Sequence, residues 1–154
     1  MVQMVEYIVE EPNVLTDSLS RCYKLPFVAT EALCTDIEHV RSSLFEESGN
    51  RVFERLFSIV TSPEQQSKAL LPPSCINQTL AGYFNKIVSF WLIKEPAKVL
   101  SFVIGKKDII SSMFEHHLWG LTSSVTDLLV RFCTVKDIKD LDPTAYRSLR
   151  NEIL

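Results

Sequence analysis

Residues 77–133 read NQTLAGYFNKIVSFWLIKEPAKVLSFVIGKKDIISSMFEHHLWGLTSSVTDLLVRFC, four amphipathic helical segments with almost nothing between them. Asn77 is set to cap the first, because its side-chain oxygen can accept from the free N–H groups of an opening helical turn. Leu80, Tyr83, Phe84, Ile87, Val88 and Trp91 then follow the i, i+3, i+4, i+7 spacing of one helix face. Phe90, Leu92 and Ile93 widen that face, which predicts a helix covered on two sides. Lys94-Glu95-Pro96 is a tight turn, with Pro96 at the first position of the next helix, where its missing N–H costs nothing. That helix carries Val99, Leu100 and Val103 and stops at Gly105, which can take positive φ without steric cost. Asp108 is expected to cap a third helix bearing Ile109, Ile110, Met113 and Phe114, broken at Gly120. Ser123 or Ser124 opens a fourth, with Val125, Leu128, Leu129, Phe132 and Cys133 on one side. Short amphipathic helices joined by short turns mark an α-helical repeat layer, a scaffold that usually holds partners rather than doing chemistry.

Upstream, Val2, Val5, Ile8 and Val9 have helical spacing, and Pro12 stops that segment. Leu15, Leu19, Cys22 and Tyr23 predict a second, weak helix over 14–24. Pro26 sits in the first turn of another, PFVATEALCTD, and Thr35 or Asp36 caps a short turn through Val40. Ser48-Gly49-Asn50 is a break. Over 50–61, Val52, Phe53, Leu56, Phe57, Ile59 and Val60 make a broad apolar face, ended by Ser62-Pro63. SPEQQSKALLPPSC is the longest predicted loop and the expected place for flexibility, with Pro72-Pro73 forcing an extended exit. Downstream, a polar tail from Lys136 reaches Asp142-Pro143, a cap and first-turn proline for a last helix, TAYRSLRNEIL. No run alternates as a strand does. No repeat of fixed length exists, but the helix-turn-helix rhythm is that of the irregular armadillo or HEAT type. The expected fold is therefore all-α: an irregular armadillo/HEAT-like helical repeat superhelix, partial in extent. Residues 1–135 form its helical domain and 136–154 a C-terminal helical tail.

The length of 154 residues suits one domain with one sizeable core. A net charge of −3 gives no general attraction to nucleic acid or acidic membranes, and Lys94, Lys98, Lys106 and Lys107 are scattered rather than striped. The opening MVQMVEYIVEEP lacks a basic n-region. The longest apolar stretch, 80–93, contains Asn85, Lys86 and Ser89 and is shorter than a bilayer span. An intracellular chain is expected, cytoplasmic, with the nucleus as the alternative. Cys22, Cys34, Cys75 and Cys133 are irregularly spaced without a C-x-x-C pair, so neither a zinc site nor a disulfide framework is indicated. Asn77-Gln78-Thr79 has the form of a glycosylation sequon and is better read as the helix cap.

Candidate chemistry is thin. His116-His117 offers neither H-x-x-x-H nor H-E-x-x-H, and a half-buried histidine at a helix end is the simpler account. Cys22, Cys34 and Cys133 fall in apolar helical phases, where a free cysteine acts as a small hydrophobe. Cys75, in the proline loop, is the reachable thiol, without a local nucleophile signature. The glycines are isolated, so no phosphate loop exists. Tyr83, Phe84, Phe90 and Trp91 read as core. Asp127 can pair with Arg131 at i+4 or reach the neighbouring layer. These residues describe a non-enzymatic binding or scaffold module with no cofactor and no metal.

The same residues resemble the SAPS domain, found in the regulatory subunits of protein phosphatase 6. The family's middle stretch reads roughly N-P-L-L-A-S-[FY]-F-S-K-V, followed by a K-P-E-Q helix, a D-F-V-D helix and M-D-L-L-L-R-L-L. Residues 77–87, NQTLAGYFNKI, are similar to the first, and 94–100, KEPAKVL, to the second. Residues 108–111, DIIS, resemble the third, and 126–132, TDLLVRF, the fourth. Upstream, YIVEEP at 7–12 is similar to F-I-I-E-E-P. YKLP at 23–26 and EALCT at 31–35 match Y-K-Y-P and E-L-L-T. The fragments keep the family's order over about residues 5–134.

The resemblance departs in three places. The family domain is several hundred residues long, so this chain matches one early slice. EHHLWGLTSSV at 115–125 stands where the family has K-H-I-G-T-S-A-I. The proline of N-P-L-L is lost, although the cap is kept. The resemblance implies a regulatory chain that binds a phosphatase-6-type catalytic subunit, the catalytic metals belonging to that partner, with further regulatory subunits as additional partners. Asn85, Lys86, Asp127 and Arg131, on the matching segments, are the candidate partner contacts; capping and pairing of helices is the competing role. The alternatives are an α-helical adapter for an unrelated protein and a non-functional truncated relative.

Overall fold

The computed structural model describes residues 1–45, 50–61, 77–118, 123–136 and 138–154, with backbone alone at 50 and 115–118. Among these residues every regular element is helical. In order they are α1 (Val2–Val9), a π-helical turn (Ser20–Lys24) running into α2 (Leu25–Leu33), α3 (Glu38–Phe45), α4 (Asn50–Thr61), α5 (Gln78–Lys94), α6 (Pro96–Gly105), α7 (Lys107–Leu118), α8 (Ser123–Thr134) and α9 (Pro143–Ile153).

The core is organised around α5, which packs on α1, α2, α4, α6 and α8. Its Leu80, Ala81, Phe84, Ile87, Val88, Trp91 and Leu92 are buried, as the sequence spacing requires of a helix covered on more than one side. From α5 to α9 each helix packs on the next, while α4 also crosses to α7 and α5 to α8. This consecutive stacking is the arrangement of an all-α helical repeat layer. The tail helix α9 lies on α8 and α6, and the Tyr146 hydroxyl lies 2.9 Å from the Phe132 carbonyl and 3.0 Å from that of Val135, each an acceptor for its hydrogen.

Helix starts follow local chemistry. Asn77 Oδ1 accepts from the N–H of Thr79 at 3.0 Å and of Leu80 at 3.4 Å. Asp142 Oδ1 accepts from Thr144 at 3.0 Å, and Pro96 and Pro143 occupy first turns.

Several expectations are corrected. The helix predicted over 14–24 is instead a turn closed on the Asn13 carbonyl, followed by the π turn. Pro26 has no N–H to donate to the Cys22 carbonyl. Just before it the register widens, and Leu25 N–H donates to the Ser20 carbonyl. The segment after Cys34 forms α3, which runs past Val40 to Phe45. The Asp36 carboxylate is taken by Arg41 at 2.6 Å and Lys94 at 2.9 Å. Gly105 does end α6, but without positive φ; the chain turns at Lys106, with φ −122°. Asp108 lies inside the first turn of α7. Ile93 is 74% exposed, so the widened face of α5 takes in Leu92 and the half-buried Phe90 but not Ile93. The predicted break at 48–49, the loop from Ser62 to Cys75, Gly120 and the side chains of His116 and His117 lie outside the described residues.

Charged joints tie the N-terminal helices to the rest. Arg55 on α4 donates from Nε to both Glu6 carboxylate oxygens, at 2.9 and 3.0 Å, and from Nη2 to Glu10 at 3.1 Å. The Arg55 hydrogen bonds hold the Glu6 carboxyl below its ordinary value of 4.5. A depressed folded-state pKa means the stabilisation is full above the unfolded value and lost as pH falls through the folded value. Wild type should therefore lose stability relative to Glu6→Gln once pH drops below about 4.5. Thermal melts of the two proteins across acid pH check this; parallel pH profiles would remove the joint's contribution.

Candidate partner-binding surface

The seam between α5 and α8 brings three of the four predicted contact residues together. Ser89 and Asn85 are one turn apart on α5, and Ser89 Oγ donates to Asn85 Oδ1 at 2.7 Å. That bond orients the amide so that Asn85 Nδ2 donates across the seam to Asp127 Oδ2 at 3.1 Å. Arg131 Nε donates to the same oxygen at 2.7 Å, the i+4 pairing expected along α8. Asp127 thus serves both roles read from the sequence, as a staple within its helix and a link between layers. The Arg131 guanidinium, and then the Asn85 amide, hold its carboxyl below the usual carboxylate range.

Lys86 is separate from this network. Its ammonium pairs with Glu31 of α2, and that bond raises its pKa. Sequence reading missed Ser89 and Glu31. The i, i+4 spacing of Asn85 and Ser89 was a usable signal; Glu31 lies 55 positions from Lys86, and nothing local pairs them.

Toward the C-terminal end of α5 the seam opens into a groove of about 260 Å³, lined by Ser89, Leu92, Ile93, Arg131, Thr134 and Lys136 among others. Its wall combines an exposed aliphatic residue, Ile93, with two cations, Arg131 and Lys136. A larger open groove of about 520 Å³ runs between α4 and α6 over Phe45, Phe53 and Phe102. Four of its rim charges pair with one another, Lys106 with Glu54 at 2.8 Å and Lys98 with Glu95 at 3.4 Å.

Neither Cys34 nor Cys133 is an activated thiol. Burial pushes the Cys34 thiol up to about 11 and raises that of Cys133, so both are protonated at neutral pH. Cys75 lies outside the described residues. Among the described residues no group of three or more His, Cys, Asp or Glu could hold a metal ion, and no helix is long and apolar enough to cross a membrane.

Fold and seam together define the class: a helical scaffold segment whose polar surface groups brace one helix layer against the next. Comparison with known proteins narrows this. The chain is 30% identical over 131 residues, 85% of its length, to serine/threonine-protein phosphatase 6 regulatory subunit 3 of Gallus gallus. It is 29% identical over the same length to regulatory subunit 3-A of Xenopus laevis. Against regulatory subunit 1 of Mus musculus it is 26% identical over 149 residues, 97% of the chain. The matches span 13%, 14% and 16% of these relatives' own lengths. No family model matches the chain, and no solved structure does. The chain is a partial-length relative of the SAPS-family regulatory subunits, which are regulators of a phosphatase rather than its catalytic chain.

Proposed function

We propose that this chain is a regulatory segment that binds the catalytic subunit of a phosphatase-6-type Ser/Thr phosphatase in the cytoplasm and targets or modulates its activity. The observation that carries this reading is the 131-residue similarity to regulatory subunits of that phosphatase. The chain supplies no chemistry in this reading; it supplies a preformed surface on rigid helices, which lowers the ordering cost of association.

The docking face in this reading is the α5/α8 seam with its flank, marked by Asn85, Lys86, Asp127 and Arg131. The bonds to Asp127 restrict the rotamers of Asn85 and Arg131 before a partner arrives. Arg131 and Lys86, with side chains 46% and 51% exposed, act as rim charges that steer encounter.

Affinity purification of the tagged chain from its own cells tests both levels. Wild type is expected to retain the catalytic subunit. Lys86→Glu/Arg131→Glu is expected to lose it with helical content unchanged. A folded wild-type chain that captures no catalytic subunit overturns the regulatory reading. Capture that survives the double reversal overturns the docking face alone.

A further inference from the structure

The groove at the end of the seam adjoins a second one. Val135 lines both, and the second, also about 260 Å³, is walled by Ile138, Leu141, Tyr146, Arg147 and Arg150 among others. The Tyr146 hydroxyl, set against the Phe132 and Val135 carbonyls, fixes α9 to the end of α8, so both grooves stand on one frame. Each groove brings a pair of cations to an apolar wall. Arg131 and Lys136 stand beside Leu92 and Ile93 in the first, and Arg147 and Arg150 beside Ile138 and Leu141 in the second. All four cations are exposed. No described Asp or Glu lines either groove, in a chain whose net charge is −3.

These charges are not neutralised within the chain. Lys136, Arg147 and Arg150 have no ion-pair partner among the described residues, and Arg131 is held only through Nε, by Asp127. The described acids of the tail are placed elsewhere. Asp140 lines the groove between α4 and α6, and Asp142 caps α9. Glu152, two residues beyond Arg150, projects from another side of that helix. The groove between α4 and α6 is the contrast, since its Lys98 and Lys106 already face Glu95 and Glu54.

We propose that the two adjoining grooves form one docking surface for an extended acidic segment of a partner protein, carrying aspartate or glutamate together with aliphatic side chains. Charge complementarity selects the carboxylates: four cations without an internal counter-charge attract an anionic segment and repel a basic one. The three arginines offer planar forks that can hold a carboxylate through two bonds. The apolar walls favour a peptide over a nucleic acid, because aliphatic side chains can cover them and a phosphate backbone cannot. Tyr146 is half-buried with its hydroxyl engaged on α8, so it is no open platform for a base.

The surface shares Arg131 with the phosphatase-binding face but goes beyond that reading, because it takes in α9 and needs no phosphatase. Fluorescence anisotropy of a fluorescein-labelled peptide, EELDELIE, titrated with the purified full chain reads it directly. Half-saturation is expected below ~100 µM, weakening as salt rises from ~50 to ~200 mM. The same peptide with lysine at every acidic position is expected not to bind. Arg147→Gln/Arg150→Gln and Lys136→Glu are each expected to weaken binding by roughly tenfold or more with unchanged circular dichroism spectra. Ile93→Ser, at an exposed position on the apolar wall, is expected to weaken it several-fold. No saturation by ~500 µM chain overturns the inference, as does binding indifferent to the cation substitutions. Tighter binding of a thymidine oligonucleotide of the same length also overturns it and assigns the surface to nucleic acid. A chain that binds the peptide and captures no catalytic subunit loses the regulatory reading alone; capture without peptide binding loses this inference alone.

Discussion

Trp91→Ala is expected to cost about 3–5 kcal/mol, a large share of the ~5–15 kcal/mol that a domain of this size has available. Trp91 is 0% exposed near the C-terminal end of α5. Its ring stands edge-on to Phe45 of α3, with centroids 5.6 Å apart, and to Phe90, at 5.2 Å. Its indole N–H donates at 2.9 Å to the carbonyl of Leu33, the last residue of α2. One side chain therefore joins three helices, and its loss leaves both a cavity and a buried acceptor without its donor. Trp91→Phe separates these terms. It keeps much of the apolar volume and forfeits the hydrogen bond, for an expected loss of about 1–3 kcal/mol. Urea unfolding of the three proteins checks the order; a Trp91→Ala midpoint equal to wild type would remove Trp91 from the centre of the core.

Phe57→Ala should be comparably severe, at about 3–5 kcal/mol, for a different reason. Phe57 is 1% exposed and has no polar role. Its ring meets Phe84 of α5 edge-on at 5.2 Å and Phe102 of α6 at 5.3 Å, while Phe53, one turn earlier on α4, lies at 5.6 Å. These contacts join α4 to the second half of the chain. The edge-to-face pair with Phe84 adds about 0.5–1.5 kcal/mol beyond buried area. A double-mutant cycle of Phe57→Leu and Phe84→Leu measures that coupling, since leucine keeps apolar bulk while removing the ring geometry. Additive losses would reduce the cluster to simple hydrophobic filling.

These two sites locate the structural weight of the molecule. The ring cluster and Trp91 hold the layers together from inside. Arg55 with Glu6, Lys86 with Glu31 and Asn85 with Asp127 bridge them at the surface. Exposed or half-exposed bridges of this kind contribute little stability singly. Their substitution is therefore suited to probing partner contacts, whereas the core positions test folding.

The sequence by itself determined the features that arise within a few residues of one another. Asn77 and Asp142 cap where their side chains predict, because a capping oxygen needs only the N–H groups two or three positions on. The apolar period of α5 named its buried residues before any neighbour was known, since 3.6 residues per turn puts them on one side of any helix. Arg131 meets Asp127 for the same reason. Short fragments in family order were enough to identify the relatives. What only the tertiary structure decided involves residues far apart in the chain. Asp127 bonds to Asn85, 42 positions away, and Trp91 to Leu33, 58 away, because helix stacking brings those faces together. Leu19 and Tyr23 carry the same apolar spacing as core residues, yet they face outward. A helix pattern says which residues share a side, not which side a neighbour will cover; α1 and α5 took the Ala29–Leu33 side of α2 and left the other open.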